Sequence, residues 1–187
     1  LGRDMVWSCV AQLYAKSFEQ ARQDHSFVGR RSSPIKTLDE QPGQLPELKL
    51  DHLFRMSDST GIFQHASFTV PNFSEGYCTD DNARALVLAV MLQKLGHGSP
   101  QLGTRAATYA AFLNHAFDRE RGRVRNFMSF DRRWLEEVGS EDCHGHALWA
   151  LGLCVGQAGQ GSFQMLAAQL FEQALPVAAG FTSPRAW

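Results

Sequence analysis

The chain has 187 residues, 44% of them hydrophobic and 20% charged, which is the composition of a folded globular protein and not of a disordered one. The net charge is -1, and no basic block stands out beyond Arg30-Arg31 and Arg132-Arg133, so the clustered positive face of a nucleic-acid binder is missing. No apolar run approaches the ~20 residues of a membrane span, and Leu1-Gly2-Arg3-Asp4 lacks the apolar core of a signal peptide.

The first residue is not Met, which suits a piece of a longer chain. Cys9, Cys78, Cys143 and Cys154 form no CxxC pair. Free, buried thiols in a reducing compartment follow, and with them a cytoplasmic location. The charge pattern predicts no nucleic-acid partner, and no cofactor is expected.

The first element predicted is a helix from Arg3 to Asp24. Val6, Trp7, Val10, Leu13, Tyr14 and Phe18 follow the three-and-four spacing of an amphipathic stripe. From Gly29 to Pro46, Ser32-Ser33-Pro34, Pro42-Gly43 and Pro46 make linker composition, and a domain boundary is placed there. The expected organisation is a helix over 1–28, a linker over 29–46 and a helical domain over 47–187.

Glu47 to Met56 reads as a short helix with Leu48, Leu50, Leu53 and Phe54 on its apolar face. Ser57 to Thr79 mixes breakers (Asp58, Gly61, Pro71, Asn72, Gly76) with Ile62, Phe63, Phe68, Val70, Phe73 and Tyr77. It reads as an irregular, packed excursion with room for short strands. Helices are then expected at Asp80 to Leu95, stopped by Gly96, and at Pro100 to Phe117. Two more follow at Glu141 to Val155 and at Ser162 to Leu175, the last stopped by Pro176. Between the second and third, Asp118 to Gly139 is another aromatic, charged excursion with Phe127, Phe130 and Trp134. Thr182-Ser183-Pro184 looks like the start of a further helix.

The helix starts resemble one another. Arg84-Ala85-Leu86, His146-Ala147-Leu148 and Arg185-Ala186-Trp187 are separated by 62 and 39 positions, and the difference matches the Asp118 to Gly139 excursion. The unit is a helical hairpin of about 40 residues that buries its faces against its neighbours. Asp80 and Asp142 each stand four residues before the Arg or His of their unit.

This repeat places Thr79-Asp80-Asp81-Asn82 and Glu141-Asp142-Cys143-His144 at the openings of two helices, each next to an aromatic excursion. Glycoside cleavage needs two carboxyl groups on opposite sides of the scissile bond. Asp80 or Asp81, with Asp142 or Glu136, can supply them, and Tyr77, Phe127, Phe130 or Trp134 can stack on sugar rings. The plainer roles are capping for Asp142, a solvated charge pair for Glu136-Glu137, and an i, i+4 ion pair between Asp80 and Arg84. His65 either lines the mouth or bonds a loop carbonyl. His144 and His146, two apart, diverge on a helix and make a poor metal pair, although zinc on Cys143 or Cys78 remains open.

Asp58-Ser59-Thr60-Gly61-Ile62-Phe63-Gln64-His65-Ala66, Val70-Pro71-Asn72, Gly76 through Leu86, and Arg125 through Glu136 on to Gly145 together resemble a bacterial helical domain. That domain is attached to, or found near, retaining glycosyltransferases with two Rossmann domains, and is similar to the six-hairpin glycosidase superfamily. The resemblance covers residues 47 to 187. It implies an all-α fold, the helical hairpins of an (α/α) toroid, here apparently truncated. The helix with Trp7, Val10, Ala11, Tyr14 and Phe18 resembles the closing helix of such a transferase. The family pattern has Ser at Cys143 and Arg at His146.

The function implied is carbohydrate-active and glycosidase-like, on an oligosaccharide or polysaccharide linked to a fused or neighbouring glycosyltransferase. Asp80 and Asp81 are the first candidates for catalysis, then Asp142 and Glu136. His65, Tyr77, Arg125, Asn126, Trp134 and His144 are candidate sugar contacts, and no metal is expected. The alternatives are a non-catalytic module that binds or positions a glycan, and a structural helical repeat for assembly.

Overall fold

The computed structural model describes residues 7–27, 47–156 and 161–186. The chain divides into two units, Leu1–Leu48 and Lys49–Trp187. In the first, α1 (Trp7–Phe27) is a single helix that runs beyond the expected end at Asp24. Trp7, Leu13, Tyr14 and Phe18 on its apolar stripe are exposed. Residues 3–6 and the expected linker over 29–46 lie outside the described residues.

The second unit is mainly helical. It contains α2 (Asp51–Arg55), α3 (Thr79–Lys94), α4 (Pro100–Ala116), α5 (Glu141–Val155) and α6 (Gly161–Ala178). Helix α3 packs against both α4 and α5, and α5 packs against α6. Leu86, Val90, Leu102, Tyr109, Leu113, Leu151 and Leu170 fill the core between them. No helix among the described residues is long and apolar enough to cross a membrane.

The helix boundaries follow from local chemistry. Ser99 caps α4 by accepting from the Leu102 amide at 3.1 Å, with Pro100 at the first helical position where no amide is needed. Ser140 caps α5 through the Cys143 amide at 3.2 Å. Helix α3 ends on Gly96 at φ 83, with His97 N–H donating to the Leu92 carbonyl and Gly96 N–H to that of Gln93, so the last carbonyls are satisfied.

Three expectations are corrected. The helix predicted from Glu47 to Met56 shrinks to the single turn of α2. Pro176 does not stop α6, which continues to Ala178. Only two residues follow the proline, and the end closes by tight bonds from Ala179 and Gly180 to the carbonyls of Pro176 and Val177. Thr182-Ser183-Pro184 forms one turn, in which Ala186 N–H donates to the Ser183 carbonyl.

Both excursions hold short antiparallel pairs. β1 (Ala66–Ser67) pairs β2 (Val70–Pro71), and β4 (Phe117–Asp118) pairs β5 (Arg123–Val124). β3 (Tyr77–Cys78) pairs β6 (Phe127–Met128), which ties the two excursions together beside the start of α3. Met56, Phe63, Tyr77, Phe112 and Met128 form a second, smaller core beneath them.

Asn82, fully buried in the first turns of α3, clamps the first excursion. Its Oδ1 accepts from the Ile62 amide at 3.0 Å, and its Nδ2 donates to the Cys78 carbonyl at 2.8 Å. A side chain at Gly61 would run into this amide, so the close approach requires glycine there. Asn82→Ala strands buried backbone groups and is expected to cost about 2–3 kcal/mol. Urea unfolding checks this as a lower midpoint at unchanged slope.

Candidate functional site at the openings of α3 and α5

The first turn of α3 has no cap of its own. Its amides are satisfied by the second excursion instead: Asp80 N–H donates to Asn126 Oδ1 at 3.2 Å, and Thr79 N–H to the Asn126 carbonyl at 2.8 Å. The Thr79 hydroxyl donates to the Arg125 carbonyl at 2.6 Å. This docking fixes the direction in which Asp80 and Asp81 leave the helix.

Both carboxylates meet Arg84. Its Nη2 lies 2.9 Å from Asp80 Oδ2 and 2.7 Å from Asp81 Oδ1. The other Asp80 oxygen, Oδ1, lies 2.6 Å from Nδ1 of His146, on α5. Asp142 stands one turn before His146, with Arg185 of the following turn 3.4 Å from its carboxylate. The Ser140 hydroxyl, with Arg185 and His146 beside it, holds the Asp142 carboxyl below the usual carboxylate range. Acidic groups 62 positions apart in the chain thus flank one imidazole. Asp142 is not the cap of α5, since Ser140 fills that place.

Among the open clefts of the unit, two are lined by expected site residues. One, of about 410 Å³, is lined by Asp81, Arg84, His52, Gln64 and Phe63 among others. The other, of about 480 Å³, is lined by His115, Arg125, Trp134, Leu135, Glu136 and Glu137.

Several expected site residues have structural work instead. Oε1 of Glu136 accepts from the amides of Asn126 and Phe127 at 2.7 and 3.2 Å, so this carboxylate braces the excursion. Tyr77 is buried, and its hydroxyl donates to Asp58 at 2.6 Å. Asp58 in turn accepts from the Thr60 amide, which makes it a hub that its reading as a mere breaker missed. Asn126 is buried as the cap of α3. His65 is exposed beside β1, away from these contacts.

Arg125 and Trp134 do come together, the guanidinium 5.8 Å from the indole ring centre. The same guanidinium pairs with Asp118 at 2.9 Å.

His144 is a core residue and not a sugar contact. Its Nδ1 accepts from the Val124 amide at 3.3 Å and its Nε2 donates to the Ala174 carbonyl at 2.9 Å. Both nitrogens are used, the ring is fully buried, and its edge meets Phe181. The residue that the spacing argument passed over is His146. Its signal was present: it falls four residues after Asp142, as Arg84 does after Asp80.

Metal binding is poorly served. Ligand atoms of Cys78, Asp80 and Asp81 lie within 4.8 Å of one another. Arg84 already occupies edges of both carboxylates, however, and burial pushes the Cys78 thiol up to about 12 while its hydrogen is donated to Asn126 Oδ1 at 3.1 Å. A thiolate and two free carboxylates are what a cation would require.

Comparison with protein-family models, with curated proteins and with solved structures finds no match to this chain.

Burial pushes the His144 pKa down, so the unfolded chain takes up a proton before the folded one does. Stability therefore falls as pH drops through the ordinary histidine range near ~6.5. Urea midpoints measured between about pH 7.5 and 5.5 should decline in the wild type and decline less steeply in His144→Gln, whose side chain does not titrate there.

Proposed function

We propose that this chain carries the opening hairpins of an (α/α) toroid with glycosidase-like chemistry, acting on an oligosaccharide or polysaccharide. Helix α1 is read as the closing helix of an associated glycosyltransferase. The observation that carries the proposal is the convergence of Asp80, Asp81 and Asp142 on one end of adjacent helices, around Arg84 and His146.

The arrangement of side chains along α3 and α5 supports it. On α3 a partly exposed stripe runs from Asp81 and Arg84 through Leu88 and Met91 to Leu95. On α5 the corresponding stripe runs from Asp142 and His146 to Trp149. Each is charged at the opening and apolar below, the pattern expected of helices whose exposed faces line a cavity with its reactive end at the mouth. Helices α4 and α6 back them.

A second reading, glycan binding without cleavage, draws on two observations. Arg84 neutralises both α3 carboxylates. The excursions also carry a face of exposed rings: Phe73 and Phe130 stack at 4.8 Å with 10° between planes, and Phe68, at a left-handed φ of 57 on the β1–β2 tip, is fully exposed. Stacked aromatic faces suit sugar rings whether or not a bond is broken.

Hydrolysis of a glycan panel by the full-length protein separates the two. Under the catalytic reading, Asp81→Asn lowers turnover by about 10²-fold or more. Equal turnover by both forms removes Asp81 from the mechanism. Glycan affinity that survives loss of both Asp80 and Asp81, without hydrolysis, establishes the binding module.

A further inference from the structure

We propose that His146 is the group that carries the proton in this site and that Asp80 is its orienting carboxylate. The inference rests on the glycosidase-like reading and changes the assignment of roles within it.

The pair is made across two helices, with Nδ1 of His146 2.6 Å from Oδ1 of Asp80. Both atoms are sealed from solvent, and among the described residues neither has a hydrogen-bond partner of good geometry, each other included. The contact is short rather than straight. The His146 side chain is nonetheless 25% exposed. Since Nδ1 is sealed, that exposure falls on other atoms of the side chain. One nitrogen lies against a carboxylate, which leaves Nε2 as the one to meet a ligand, the arrangement by which a carboxylate fixes the tautomer and aim of a working imidazole.

The surrounding charges assign the proton to this ring. From α3, Asp80 and Asp81 share Arg84. On α5 itself, Asp142 faces His146 and pairs with Arg185 of the turn after α6. The buried thiols of Cys78 and Cys143 lie within electrostatic reach of Asp80.

A carboxyl that serves as acid must keep its proton near neutral pH, which burial or a like charge promotes and an arginine partner opposes. Each of these three carboxylates has an arginine partner. Among the groups named, the imidazole alone is a nitrogen base without an arginine partner, and its Nε2 is not the nitrogen that meets Asp80.

In the step this implies, the imidazolium Nε2–H gives its proton to the glycosidic oxygen as the bond from that oxygen to C1 breaks. A water adds its oxygen to C1 and passes a proton to the Asp81 carboxylate. Solvent then returns Asp81 to its anion and His146 to its cation.

Two measurements on the full-length protein test this. Long-range ¹H–¹⁵N spectra of neutral His146 should show the hydrogen on Nδ1 and a bare Nε2, and Asp80→Asn should move the hydrogen to Nε2. Kinetics on a glycan that the wild type cleaves should show His146→Gln losing about 10²–10⁴-fold in kcat, with KM little changed and the alkaline limb of the kcat–pH profile gone.

A wild-type hydrogen on Nε2, indifferent to Asp80→Asn, overturns the dyad. Cleavage by the wild type that His146→Gln leaves intact overturns the proton-carrying role while the glycosidase-like reading stands. A wild type that cleaves nothing in the panel defeats that reading and this role with it, and the spectra then report only on the dyad's geometry.

Discussion

The start of α3 leaves backbone amides that no residue of α3 itself satisfies, and the geometry of the site depends on how they are paired. The second excursion supplies the acceptors, through the Asn126 side chain and the Asn126 carbonyl, while the Arg125 carbonyl accepts from the Thr79 hydroxyl. An unpaired buried amide costs about as much as one lost hydrogen bond, ~1–3 kcal/mol, so the excursion is not free to drift from the helix. Asn82 then fastens the first excursion to the same turn. Two segments with little core of their own are made rigid by side-chain amides at one helix end, and Asp80 and Asp81 take their aim from that junction.

The helices were legible in the sequence because their signals are local. Three-and-four spacing, Ser99 before Pro100, Ser140 before Glu141 and Gly96 after Leu95 each act within one turn, and the structure follows them closely. Local rules also misled. Pro176 was read as a stop, although its ring forbids only the bonds of the preceding turn and leaves two more residues free to complete the end of α6. The short α2 reflects the same limit, since an apolar face on a single turn does not decide how many residues join it.

The site was legible only in part, and distance along the chain explains which part. Asp80, Asp81 and Asp142 were found because helix openings recur in the repeat. That Asn126 caps α3 from 46 residues away, or that Glu136 braces the Asn126 and Phe127 amides, has no local signature. Asn126 was expected as a sugar contact and Glu136 as a catalytic carboxylate, and both answer backbone demands. His144 and His146 show the limit most directly. Two residues apart, they point to different faces of α5, so one enters the core and the other reaches Asp80. Which is which depends on where α3 and α6 pack, and two-residue spacing alone does not say.

The two hairpins carry the same charge pattern with one change of chemistry. Asp80 is followed at four residues by Arg84, a permanent cation, and Asp142 by His146, a cation that can be withdrawn. If both helix openings served only to neutralise carboxylates, arginine at both would do so without regard to pH. An imidazole stands at the second place instead, and it turns away from simple pairing within its own helix to meet Asp80 on α3. The exchange gives up a permanent cation at that point and sets a ring nitrogen against a carboxylate of the neighbouring helix. That asymmetry between equivalent positions is easier to reconcile with a group that must gain and lose a proton than with a repeat built only to assemble.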